Sequence, residues 1–122
     1  MSKAHVNKVY VVNLPTKIND TTGMLEPSID VADADEFGEI VYILPMGELI
    51  GTPAQIVDRI HKALDKFVAT DHLLLCGDPR AIAWASAIAA DKVDGNLSIL
   101  RWIRNQKRYQ PVRVALWESE NA

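Results

Sequence analysis

Two stretches of this chain carry residue types that could do chemistry. The first is Cys76-Gly77-Asp78-Pro79-Arg80, which follows an apolar run and opens a helix. A helix start presents free backbone N–H groups that can hold an anion, and Arg80 would add a counter-charge. Open parallel sheets bind ligands outside the carboxyl ends of their strands, so Asn13, at the end of an earlier apolar run, belongs to the same candidate set. Asn13, Gly77, Asp78 and Arg80 are therefore the candidate ligand-binding residues. Two features oppose a phosphate: Asp78 puts a negative charge where it would lie, and Pro79 removes one donor. Neither G-x-G-x-x-G nor G-x-x-x-x-G-K-[ST] occurs in the chain, so a capped helix start is the simpler reading of the turn.

The second stretch is near the C-terminus, where Arg101, Trp102, Arg104, Lys107, Arg108, Tyr109, Arg113 and Trp117 mix guanidinium groups with large aromatics. These types are enriched at interface hot spots, which makes the eight residues the candidate partner-binding set. In the plainer reading, Trp102 and Trp117 complete the core while the basic side chains keep an edge strand soluble. A protein partner or self-association comes next, and nucleic acid last. Residues 97–117 carry five basic residues and no acid, whereas residues 18–58 carry nine acids and no base. In so small a domain those acids would repel a polyanion.

The remaining reactive types do not form a set. The acids around Asp33 start a calcium-loop pattern that fails at Phe37 and Leu44, so a solvated helical turn explains them and no metal is expected. His5, His61 and His72 share no metal-ligand spacing and pair with no recognisable nucleophile. Ser86 has no nucleophile elbow around it, and Cys76 reads as a small buried hydrophobe. No catalytic constellation or cofactor is implied, and a binding protein is expected over an enzyme.

The elements that must position these residues are legible from apolar runs and punctuation. Residues 9–14, 40–44 and 73–76 are short runs apolar on successive residues, the pattern of strands covered on both faces. Thr52, Pro53 and Gln55 give a capping box, followed by an apolar stripe of Ile56, Ile60, Leu64 and Phe67. Asp78 and Pro79 start a second, alanine-rich helix that Asp94-Gly95 ends. Residues 97–103 and 112–117 form two more strands, whose short polar link implies an antiparallel hairpin at the sheet edge. The expected fold is one α/β domain over residues 1–122. It is Rossmann-like, with a mostly parallel sheet of about five strands, an antiparallel C-terminal hairpin and two main helices. Residues 15–37 stay a long loop, in which a turn at residues 33–37 should pack Phe37 on the sheet.

Composition agrees. At 48% hydrophobic and 24% charged residues the chain matches an ordinary globular protein, which excludes disordered and fibrous classes. With Cys76 the one cysteine there is no intrachain disulfide, and a reducing compartment is expected. No apolar leader follows Met1 and no stretch approaches a membrane span, so a cytoplasmic protein is expected.

Three stretches carry a family likeness: Val9 to Asn13, then Asp33 to Val41, and then Asp71 to Asp78 with Asn96 to Leu100 and the basic Arg104 to Tyr109. On these residues the chain resembles a group of small phage-encoded α/β proteins. The resemblance implies a phage gene product in the cytoplasm of a bacterial host and assigns no chemistry to any residue. A non-enzymatic protein that binds a phage or host protein is the leading expectation; the alternative is a small-ligand or nucleotide-binding domain with its site at the strand ends.

Overall fold

The apolar runs become strands because both of their sides find cover. In the computed structural model, which describes residues 6–118, β1 (Lys8–Val11) sends Val9 and Val11 to one face of a sheet and Tyr10, with the following Val12, to the other. All four are buried. β5 (His72–Leu74) divides likewise between Leu73 and Leu74. A run without polar alternation is thus the signature of a central strand.

The rest of the chain runs β2 (Thr16–Ile18), β3 (Leu25–Pro27), a 3-10 turn (Ala32–Phe37), β4 (Glu39–Tyr42), α1 (Pro53–Ala63), α2 (Pro79–Lys92), β6 (Asn96–Ile103) and β7 (Arg108–Ala115), with β5 between the two helices. The five-stranded sheet has the order β4-β1-β5-β6-β7, parallel except for the antiparallel β6–β7 pair. This is the mixed sheet with an antiparallel C-terminal edge that the sequence implies. From β1 the chain steps outward to β4, then returns past β1 to β5 and continues to β6. Right-handed crossovers in opposite directions lie on opposite faces. Accordingly α1 and α2 cover Tyr10, Leu73 and Leu97, while the 3-10 turn covers Val9, Val11 and Leu100 on the other side.

Helix starts follow local chemistry. Thr52 Oγ1 accepts the Gln55 N–H at 3.2 Å and Gln55 Oε1 accepts the Thr52 N–H at 2.9 Å. Ile56, Ile60 and Leu64 then bury completely, each stabilising the fold by about 1.5–3 kcal/mol. On α2 the buried positions are Ala81, Ala85, Ala89 and Ala90, small residues that let the helix lie close to the sheet, while Ala83 and Ala87 face solvent. At its end the Gly95 N–H, at φ +82, donates to the Ala90 carbonyl at 2.8 Å.

Three differences from the sequence reading have physical causes. The long loop contains a separate antiparallel hairpin, β2–β3, pairing Thr16 with Pro27 and Ile18 with Leu25. The 40–44 run is not covered on both faces: β4 is an edge strand with Tyr42 exposed, and Ile43 and Leu44 bury beyond its end. The last strand starts at Arg108 and not at Val112, because antiparallel pairing with β6 extends until Arg104–Lys107 forces the turn. Phe37 is half-buried, packed on the Val9 and Val11 face with its ring edge-on to His72 at 5.9 Å.

Candidate functional site

The strand order reverses at β1 and β5, and the loops leaving their carboxyl ends part there. Asn13, Gly77, Asp78 and Arg80 all line a groove of about 580 Å³ at this point, with Pro15, Thr16, Gly47, Glu48 and Leu49. The four candidate ligand residues therefore converge. Their polar groups, however, are occupied by one another. Asn13 is buried; its Oδ1 accepts the Asp78 N–H at 2.9 Å, and its Nδ2 donates to the carbonyls of Pro45 at 2.9 Å and Gly47 at 3.0 Å. One amide thus stitches together the loops after β1, β4 and β5. Gly77, at φ +92, presses so closely on Asn13 that a Cβ would stand 2.0 Å from the Asn13 carbonyl oxygen. Asp78 caps α2 by accepting the Arg80 N–H at 2.8 Å and also binds the Arg80 guanidinium at 3.0 Å. Those hydrogen bonds hold the Asp78 carboxyl below the usual carboxylate range and push Arg80 up.

Cys76 sits behind the groove, and burial raises its thiol above the ordinary value. A buried thiol kept protonated is a poor nucleophile. Among the described residues no group of His, Cys, Asp and Glu is arranged to hold a metal ion; His61 lies exposed on α1, and His5 is outside the described residues.

The C-terminal hairpin is built in the opposite manner. Along β7 every residue but Tyr109 is exposed. Val112, Val114, Trp102 and Trp117 keep between 41% and 45% of their surface open, and Leu116 more. Register places Val112 and Val114 opposite Ile99 and Leu97, so they extend the helix-side core past the reach of α2. Arg101, Arg104, Lys107, Arg108 and Arg113 are exposed and make no ion pair among the described residues. Arg108 Nε donates to Gln106 Oε1 at 2.6 Å.

Neither tryptophan belongs to the core. Trp102 leans edge-on against Tyr109, with centroids 4.9 Å apart. Trp117 lies over Gly95, where a Cβ would meet its ring at 2.8 Å, and its Nε1–H points to Asp94 Oδ1 at 3.4 Å. Tyr109 is 6% exposed and donates its hydroxyl to the Asp30 carbonyl at 3.3 Å, with burial raising its phenol. Trp102, Lys107 and Tyr109 also line a mostly apolar groove of about 510 Å³ with Ile29, Asp30 and Asp33.

One constellation escapes a reading of the sequence. His72 and Ser98 precede the paired residues Leu73 and Ile99, and Ser98 pairs with Arg113, so all three fall in one row across β5, β6 and β7. The His72 Nδ1 and Ser98 Oγ are 2.6 Å apart. Burial, with the charge of Arg113, lowers the His72 pKa against the opposing pull of Asp71. Ser98 is only 1% exposed, so the pair satisfies buried polar groups and offers no reachable nucleophile. The residues lie 26 apart in sequence, and only strand register joins them.

Comparison with known proteins adds one match: the model of a family described as phage Pam3 gp32-like protein fits residues 7–116. No curated protein and no solved structure matches the chain. Among the described residues no helix is long and apolar enough to cross a membrane.

Proposed function

We propose that this chain, which belongs to the phage Pam3 gp32-like protein family, is a non-enzymatic accessory protein that binds another protein through its C-terminal hairpin, in the cytoplasm of the bacterial host. One observation carries the reading: β7 holds an apolar strip, Val112 and Val114, that the described residues leave uncovered, with Arg101 and Arg108 on the same face and without ion-pair partners among the described residues. Arginine anchors around an apolar, dehydratable centre are what interface hot spots use. The free basic groups favour a partner whose surface is acidic. The test is capture from host and phage-infected lysate with wild-type protein and with a Val112→Asp, Val114→Asp variant. A partner retained by wild type and lost by a variant of unchanged melting temperature supports the reading. No retained partner, together with a monomeric mass in solution, sinks it.

A second reading rests on the groove at the strand-order reversal, the position at which open α/β sheets bind small molecules. Its residues would have to exchange existing bonds for those to a ligand. A thermal-shift screen of nucleotides and small anions separates the readings, since a ligand at 100 times its dissociation constant stabilises by about 2.7 kcal/mol. An unchanged melting temperature across the panel counts against the groove.

A further inference from the structure

The groove of about 510 Å³ beside the C-terminal hairpin is made by strand register. Trp102 and Tyr109 stand opposite each other across β6 and β7, on the face away from the helices, where the 3-10 turn also packs. Tyr109 donates its hydroxyl to the Asp30 carbonyl at 3.3 Å, which ties the chain entering that turn to the strand. The edge-on contact with Tyr109 uses only part of Trp102, and 43% of its surface stays open. Ile29, 39% exposed, completes the apolar wall.

The charges lining this groove are its own: Asp30, Asp33 and Lys107. Asp30 Oδ1 accepts the Ala32 N–H at 2.8 Å, and the Asp33 side chain makes no hydrogen bond among the described residues. Neither carboxylate forms an ion pair with Lys107 or with any other base among them. Their field reaches the aromatic wall: burial is the main cause that raises the Tyr109 phenol, and after Cys76 both Asp30 and Asp33 add to it. Two carboxylates against one ammonium leave the groove with one negative charge in excess.

We propose that this groove binds a small organic monocation. Its ammonium or guanidinium group lies between the Trp102 ring and the carboxylates of Asp30 and Asp33, and its apolar body covers Ile29 and Tyr109. An indole ring attracts a cation through its quadrupole, and the volume is within the range of small-ligand pockets, about 300–1,000 Å³. The charges decide against other occupants. An anion meets two carboxylates, a neutral apolar molecule covers them without pairing them, and a second positive charge is opposed by Lys107. A basic protein segment would also meet the exposed Arg104 and Arg108 of the hairpin. The site goes beyond the protein-binding reading and lies on the opposite face of the hairpin from Val112 and Val114.

The experiment follows the indole N–H signals by NMR while phenethylammonium, or its neutral counterpart 2-phenylethanol, is added. The Trp102 signal is the one absent from Trp102→Phe. Phenethylammonium shifts it saturably, and phenylethanol binds at least about 5-fold more weakly. The variant Asp30→Asn with Asp33→Asn keeps an oxygen for the Ala32 N–H and the wild-type melting temperature, and it loses the preference for the cation. Lys107→Gln removes the competing ammonium and binds phenethylammonium about 2-fold more tightly or better, a change that a loosened groove would not produce. A Trp102 signal that does not move at about 10 mM phenethylammonium overturns the proposal, as does equal binding of the two probes or an unchanged preference in the double Asn variant. If N-acetylarginine amide binds about 10-fold more tightly than phenethylammonium, the occupant is a protein's basic side chain and the assignment to a small molecule falls.

Discussion

At the strand-end groove each candidate polar side chain bonds to another part of the same chain, whereas at the C-terminal hairpin Arg101, Arg104, Lys107 and Arg113 make no side-chain hydrogen bond or ion pair among the described residues. Asn13 alone ties down three loops, and Arg80 is held by the cap of its own helix. Across the sheet, five basic groups and two tryptophans lie exposed on and beside a hairpin whose last strand buries one residue of its eight. Both regions bring suggestive residue types together. The difference is that groups already satisfied have nothing left to offer a ligand without a cost, whereas exposed ones gain partners on binding. Convergence of residues identifies a junction; unmet bonding capacity identifies a candidate site.

Substitutions in the groove should break the comparison most visibly. Gly77→Ala forces a Cβ onto the Asn13 backbone at a positive φ, so it is expected to cost about 3 kcal/mol or more, or to prevent folding. Asn13→Ala removes the partners of two carbonyls and one N–H, a loss of about 2–5 kcal/mol. Denaturant unfolding measures both. A stable Asn13→Ala protein that loses a ligand would reverse the assignment of the groove as a structural junction.

The hairpin should respond far less. Trp102→Ala loses an edge-on ring contact and a half-exposed surface, so about 1 kcal/mol is expected, against about 3–5 kcal/mol for a buried tryptophan. A melting temperature nearly that of wild type, with partner capture lost, sharpens the contrast. A cooperative loss of fold would put Trp102 in the core after all.

A smaller effect is expected at His72, whose row links the β5 core to β7. Its lowered pKa means the folded state prefers the neutral ring. As pH falls through the ordinary histidine value of about 6.5, the unfolded chain takes up the proton first, so this contribution to stability is present above that pH and lost below it. Melting temperatures at steps between about pH 7.5 and 5.5 should decline in wild type, and less in His72→Asn. An identical decline in both would remove His72 from the account.

What the sequence disclosed follows the range of the interactions. Thr52 with Gln55 and Asp78 with Pro79 act within one turn of chain, and both helix starts stand where those residues place them. The central strands were legible because Val9 to Val12 and Leu73 to Leu74 are apolar without a break. The β2–β3 arm was not, since each of its strands is only three residues long and their pairing is made by the turn at residues 19–24. Exposure of the tryptophans was equally hidden. It depends on register, which puts Trp102 opposite Tyr109 on the face away from the helices, and on β7 ending before Trp117, which no local pattern encodes.

The smallest expected effect is none at all, on duplex DNA. Five basic residues in a short hairpin resemble a phosphate-binding stripe, and each phosphate neutralised would contribute a slope of about −0.9 to the logarithmic salt dependence. The structure divides them. Ser98 pairs with Arg113 and Arg101 with Gln110, so Arg101 and Arg113 point to opposite faces, while Arg104 and Lys107 occupy the turn. Lys107 shares its groove with Asp30 and Asp33, whose carboxylates would meet any phosphate placed there. No continuous basic track is left for a backbone to follow, so no retardation of duplex DNA in a gel is expected at about 150 mM salt. Retardation abolished by Arg104→Ala with Arg108→Ala would show that the turn binds phosphate despite these acids, and would move the hairpin from protein recognition to nucleic acid.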